Sequence, residues 1–115
     1  MGAKNITNEE VVQAIAGKEA SDVLKLTGIA SRHWIEPGET VLTLAKDAAQ
    51  KVLAAQQVQI HDIDLIICTT GTPSQITPSL ACQLLYELAG SNYECPAYDL
   101  NAACSGYLYS HFNLD

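Results

Sequence analysis

The chain has 115 residues, about one domain's worth, and is 48% hydrophobic and 17% charged, which is enough apolar material for a packed core. Its net charge is −7, and its six Lys and Arg are scattered between Lys4 and Lys51; with no basic stripe, nucleic-acid binding is not expected. No apolar run approaches the ~20 residues that span a bilayer. The opening "MGAKNITNEE" has no apolar leader pattern, and Ile6 stands where a myristoylation signal needs Ser or Thr, so a cytoplasmic protein is expected.

A first helix is predicted from "TNEEVVQAIAG". Thr7 and Glu10 have capping-box spacing, Val11, Val12, Ile15 and Ala16 share a face, and Gly17 stops it. From 18 to 39, Gly, Pro and charges predict a loop or irregular extended segment. A second helix runs through "TVLTLAKDAAQKVLAAQQV", with Val41, Ala45, Ala48 and Val52 beside Leu42, Ala49 and Leu53 on a wide apolar stripe. "IDLIICTT" is an unbroken apolar run, the pattern of a strand covered on both faces. After the polar loop "GTPSQITPS", Thr77 is placed to cap a third helix with Pro78 at its first position and Gly90 at its end. "CPAYDL" predicts a second strand, and "AACSGYLYS" begins a fourth helix.

This order predicts an α/β layered fold, with parallel central strands, helices on both faces, and residues 1–115 forming a single domain. Chemistry in such sheets gathers beyond the carboxyl ends of the strands. Two segments stand there, "TTGTPSQ" and "NAACSG".

The second contains Cys104. The four cysteines, at 68, 82, 95 and 104, include no Cys-x-x-Cys pair and so no zinc pattern, and most read as small buried hydrophobes. Cys104 differs by standing where a strand hands over to a helix. A thiol there feels the positive end of the helix dipole, which favours thiolate. Ala102, Ala103, Ser105 and Gly106 leave room beside sulfur, and the Cys104 amide is placed to donate to an oxyanion. On residue type alone, one more buried cysteine remains the plainer reading.

The surrounding segments shift that balance. "DLNAACSGYLY" resembles the nucleophile segment of the 3-oxoacyl-[acyl-carrier-protein] synthase III (ketoacyl synthase III) family of the thiolase superfamily. "TGIASRHW" is similar to that family's Thr-Gly-Ile-x-x-Arg segment, through Thr27, Gly28, Ile29 and Arg32; "DIDLIICTTGTP" resembles its Asp-x-Ile-x-x-Thr-Thr strand and loop. "TPSLACQLLYELAG" resembles its Pro-Ser-x-Ala-Cys-Gln helix. The likeness runs from Asn8 to Tyr109.

The resemblance implies a thiolase-like fold and an acyltransferase of fatty-acid or related polyketide synthesis. Cys104 would take an acyl group from a thioester and pass it to a malonyl carrier with loss of carbon dioxide. No bound cofactor is implied; acyl-CoA or an acyl carrier protein thioester is the substrate. Thr27 and Arg32 fall in the segment that meets the carrier, and Thr77 near the acyl pocket. The family's tryptophan and arginine that hold coenzyme A match Asp22 and Leu26 here, which favours a carrier-protein donor. The family's catalytic histidine and asparagine lie far downstream, and His33, His61 and His111 do not stand in those motifs. The strand that precedes "ITNEEVV" in the family is expected to be absent. The chain therefore resembles an incomplete N-terminal half, which by itself is not expected to complete the condensation. A homodimer, or pairing with the missing half, is expected. Other thiolase-superfamily condensing enzymes share the cysteine, and a non-catalytic assembly module of a split synthase is the reading from a different class.

Overall fold

The computed structural model describes residues 2–112. The chain divides into two compact units, Met1–Thr40 and Val41–Asp115.

The first unit holds an antiparallel pair, β1 (Lys4–Thr7) and β2 (Ser31–Trp34), with Lys4 opposite Trp34 and Thr7 opposite Ser31. The sequence reading left both strands out. A four-residue strand that buries only Ile6, within the polar segment "KNIT", gives no period-two signal. Helix α1 (Asn8–Val12) has the expected capping box: Glu10 N–H donates to Thr7 Oγ1 at 3.5 Å, and Thr7 N–H to Glu10 Oε2 at 2.8 Å. It ends at Val12, well short of Gly17. Helix α2 (Ala20–Thr27) corrects the loop expected over 18–39. Its start is closed by Glu19 N–H on Asp22 Oδ2 at 3.1 Å, and its end by Gly28 in the left-handed region, φ 70°, where glycine carries no Cβ penalty.

The second unit begins with α3 (Val41–Gln56), close to the predicted span. A single 3₁₀ turn, Ile60–Asp62, leads to β3 (Ile66–Thr69). Helix α4 (Leu80–Ala89) and β4 (Ala97–Leu100) follow, then a 3₁₀ turn (Ala103–Ser105) and α5 (Gly106–His111). Strands β3 and β4 pair in parallel, as the unbroken apolar run predicted, with Ile66 opposite Ala97 and Cys68 opposite Asp99.

Side chains alternate across a sheet, so Cys68 and Asp99 share one face and Thr69 and Leu100 the other. Helix α4 covers the first face, where Leu80 and Ala81 donate backbone N–H bonds to the Asp99 carboxylate. Helix α5 covers the second, where Gly106 abuts Thr69. The expected helices on both faces are present, and the pair that supplies them is α4 and α5. Helix α3 packs beside α4, joined by Lys46 Nζ to Glu87 Oε2 at 2.7 Å. The core is small: Leu80, Ala81 and Leu84 of α4 are buried. An open apolar cleft of about 150 Å³ lies among Ala49, Leu53, Ile63, Ile66, Leu84 and Leu88. Among the described residues, no helix is long and apolar enough to cross a membrane.

Candidate functional site

Parallel strands must emit their following loops from the same edge, and here that edge brings two segments together. Pairing runs one step past the strands, with Thr70 N–H on Leu100 O at 3.1 Å. Beyond it, a Cβ on Gly71 would sit 3.5 Å from Asn101 Oδ1, so the loop after β3 touches the turn after β4.

That turn is built from small residues for a geometric reason. Ala103 takes φ 45°, a left-handed conformation that β-branched or bulky residues resist. Its N–H lies 3.5 Å from Asn101 Oδ1, and Ser105 N–H donates to Ala102 O at 2.9 Å, closing a 3₁₀ turn around Cys104. Gly106 then starts α5 against the sheet. A Cβ there would meet Thr69 Cβ at 3.0 Å, so only glycine lets the helix approach this closely.

Cys104 is exposed at the crest of this turn, while the other thiols are engaged or shielded. Half-buried Cys68 has its pKa pushed up to about 11, by burial first and then by the negative charge of Asp99 and by Cys82. Burial, and then Asp64, push Cys95 up as well. Cys82 is exposed as a residue, yet its Sγ reaches Ala97 O at 3.4 Å.

The start of α4 corrects one expectation. Ser79, not Thr77, is its N-cap, accepting from Cys82 N–H at 3.1 Å, and Pro78 lies two residues before the first helical position. The reason is a stronger competitor for the free amides. Asp99 of β4 accepts from Leu80 N–H at 2.8 Å and from Ala81 N–H at 2.9 Å. The sequence reading missed this role; its signal was a lone carboxylate in an otherwise apolar strand, which has to find donors. Thr77 is exposed in the loop beside Ile76, which is 90% exposed.

Thr27 and Arg32 belong to the other unit, and local bonds occupy them. Thr27 Oγ1 donates to Val23 O at 2.7 Å and accepts from Ile29 N–H at 3.1 Å, a helix-end device. Arg32 Nη2 donates to Asn8 Oδ1 at 2.7 Å, while Nη1 is buried without a partner. Asn8 was also missed. It is 4% exposed and satisfied at both ends, its Nδ2 reaching Ile29 O at 2.8 Å. The three histidines are exposed; His61 packs on Tyr93, and His111 Nδ1 lies 2.8 Å from Tyr107 O.

No protein-family model matches the chain. Solved structures do. The 3-oxoacyl-[acyl-carrier-protein] synthase III of Aquifex aeolicus VF5 aligns over 100% of this chain and 36% of its own, at 30% identity and a TM-score of 0.87. Another 3-oxoacyl-(acyl-carrier-protein) synthase III aligns over 98% of this chain and 33% of its own, at 31% identity and a TM-score of 0.84. The priming β-ketosynthase of the R1128 polyketide pathway aligns over 96% and 32%, at 30% identity and a TM-score of 0.83. The strand-to-helix turn is thus set in the thiolase-like fold of the condensing enzymes. Within that class its neighbours at 30–31% identity include 3-oxoacyl-acyl-carrier-protein synthases III and a priming β-ketosynthase, and the chain spans about a third of the length of the solved chains it matches.

Proposed function

We propose that Cys104 is the acyl-accepting nucleophile of a cytoplasmic condensing enzyme of fatty-acid or related polyketide synthesis. Its sulfur attacks the carbonyl carbon of an acyl thioester, either acyl-CoA or acyl carrier protein. The carbon–sulfur bond to the carrier breaks, and the carrier thiol leaves with the proton. The acyl group is then held on Cys104 Sγ. A malonyl thioester next loses carbon dioxide, its α-carbon attacks the acyl carbon, and the bond to Sγ breaks to restore the thiolate. Two steps of moderate difficulty replace one of greater difficulty.

The observation that carries this reading is the turn itself. Cys104 is exposed on a 3₁₀ turn between a parallel strand and a helix packed against that strand pair, with small residues on either side. Ala103 and Gly106 set the thiol's position by backbone shape, which leaves the space around sulfur open for an acyl chain. On this reading Thr77 contributes to the acyl pocket, and Thr27 and Arg32 meet the carrier, as the family resemblance implies.

In the condensation step, groups that stabilise the enolate are needed in addition to the nucleophile. The three histidines here are committed to surface positions, so the 115-residue chain by itself takes up acyl groups without forming product. Assembly with further chain is favoured by α5 and its C-cap, where Tyr107, Leu108 and Phe112 are exposed, Phe112 at 78%. A homodimer, or a separate chain carrying the rest of the fold, would supply that cover; the same exposed face is what a non-catalytic assembly module would use.

A two-stage assay tests the proposal: a labelled acyl thioester first, then malonyl carrier. The expected result is a stable label on Cys104, absent in Cys104→Ala, with no ketoacyl product. A chain that takes no label at Cys104 contradicts the nucleophile assignment, and ready product formation contradicts the need for further chain.

A further inference from the structure

We infer that Asp99 is a positioning residue for Cys104, acting through the start of α4. This rests on Cys104 being the acyl acceptor, and it assigns the neighbouring carboxylate a part in that chemistry.

The geometry has three links. Both oxygens of Asp99 are used, Oδ2 on Leu80 N–H at 2.8 Å and Oδ1 on Ala81 N–H at 2.9 Å. Bonds between a carboxylate and amide donors are short, directional and about twice as strong as neutral ones. They also answer the positive end of α4, which has ten residues and no acidic side chain in its own first turn. The donors are buried, Leu80 at 5% and Ala81 at 0% exposure, so water does not readily replace the carboxylate.

The second link is covalent. Asp99 lies in β4, five positions before Cys104, and Asn101 in between supports the turn by accepting from Ala103 N–H. The third is the loop between β3 and α4, residues 70–79. It leaves the sheet at Gly71, beside Asn101, and returns at Leu80, on Asp99. Asp99 holds the loop's return with two hydrogen bonds, while at its exit the Gly71 backbone passes close to the Asn101 side chain, where a Cβ on Gly71 would sit 3.5 Å from Oδ1. The loop containing Thr77 is therefore fixed against the strand that delivers the thiol. Loss of the grip at Asp99 lets the loop and the turn shift relative to one another, and small misplacements at a reacting centre cost as much as about 10²-fold in rate.

A purely structural role for Asp99 predicts uniform damage; positioning predicts a selective loss. The experiment compares the 115-residue chain with Asp99→Asn and Asp99→Ala. Acyl transfer from a thioester to Cys104 is followed by mass, and alkylation of Cys104 by iodoacetamide is run beside it. The maximal acylation rate is expected to fall about ten-fold or more in Asp99→Ala, with the half-saturating thioester concentration unchanged. Iodoacetamide labelling, which needs no aligned acyl group, stays within about three-fold, and Asp99→Asn, which keeps one acceptor oxygen, recovers part of the loss. Unchanged acylation in Asp99→Ala overturns the inference, as does a parallel fall in both reactions.

Amide exchange separates this from the acyl-acceptor reading. In Asp99→Asn, Leu80 and Ala81 exchange faster, and so does Ser105, whose amide closes the turn on Ala102 O. If the parent chain takes no acyl group, the nucleophile reading fails, and faster Ser105 exchange still supports the coupling of Asp99 to the Cys104 turn. Ser105 exchange unchanged in both variants shows that the grip ends at α4, and the inference falls.

Discussion

Two helices start at the same edge of the same two strands, and they start differently. At α4, side chains close the beginning: Asp99 takes the amides of Leu80 and Ala81, and Ser79 takes that of Cys82. At α5 no side chain caps the start, and the preceding turn puts an exposed thiol there instead. A helix start leaves donors unsatisfied, and they are met by the protein itself or by something it binds. The first start holds the fold together. The second is kept small and open, as the proposed acyl acceptance requires.

The contrast is strongest at Asp99. Asp99→Ala removes two charge-assisted bonds to buried donors and is expected to destabilise the chain by about 3 kcal/mol or more. Urea melts followed by circular dichroism would show it, and a loss under about 1 kcal/mol would mean the α4 start is not held this way. On the α5 side, Gly106→Val forces a branched side chain into Thr69, where a Cβ alone already sits at 3.0 Å. A loss of about 1–3 kcal/mol is expected from overpacking, with slower Cys104 labelling because the turn must move. Wild-type labelling in that variant would show that α5 does not set the thiol's place.

Ser79→Ala should cost about 1 kcal/mol, the usual value of an N-cap, and leave Cys104 labelling unchanged. The smallest effect concerns pH. Burial pushes the Cys68 thiol up to about 11, from an ordinary value of 9.0. Its folded value is raised, so its contribution to stability is full below about 9 and is lost as pH rises toward 11. Alkylation of Cys68 should therefore lag behind that of Cys104 at pH 8 and catch up only in strong base. Early labelling of Cys68 at pH 8 would place it outside its shielded position.

Much of this unit was legible from sequence because its signals are long or chemically sharp. Four turns of apolar periodicity predicted α3, and an unbroken apolar run predicted β3 as a parallel strand. The strand "CPAYDL" followed by the helix start "AACSGYLYS" predicted the strand-to-helix turn. In the first unit the signals are short. Strands β1 and β2 have four residues each, and α2 has only eight, among Lys, Ser and Asp. The two strands form by pairing with each other, which no local pattern records. Thr77 was expected to cap α4 from its position before Pro78, yet Ser79 caps it, and Asp99, nineteen residues beyond Leu80, takes the amides of its first residues. Contacts at that separation are set by the fold, and the sequence shows only that a carboxylate in "AYDL" needs donors.

The most direct measurement is the site of acylation. The chain is incubated briefly with a labelled acyl thioester near neutral pH, digested, and its four cysteine peptides are compared by mass. The account predicts label on Cys104 ahead of Cys82, Cys95 and Cys68, and none on the Cys104→Ala chain. Label that falls first on another cysteine, or equally on all four, would contradict it.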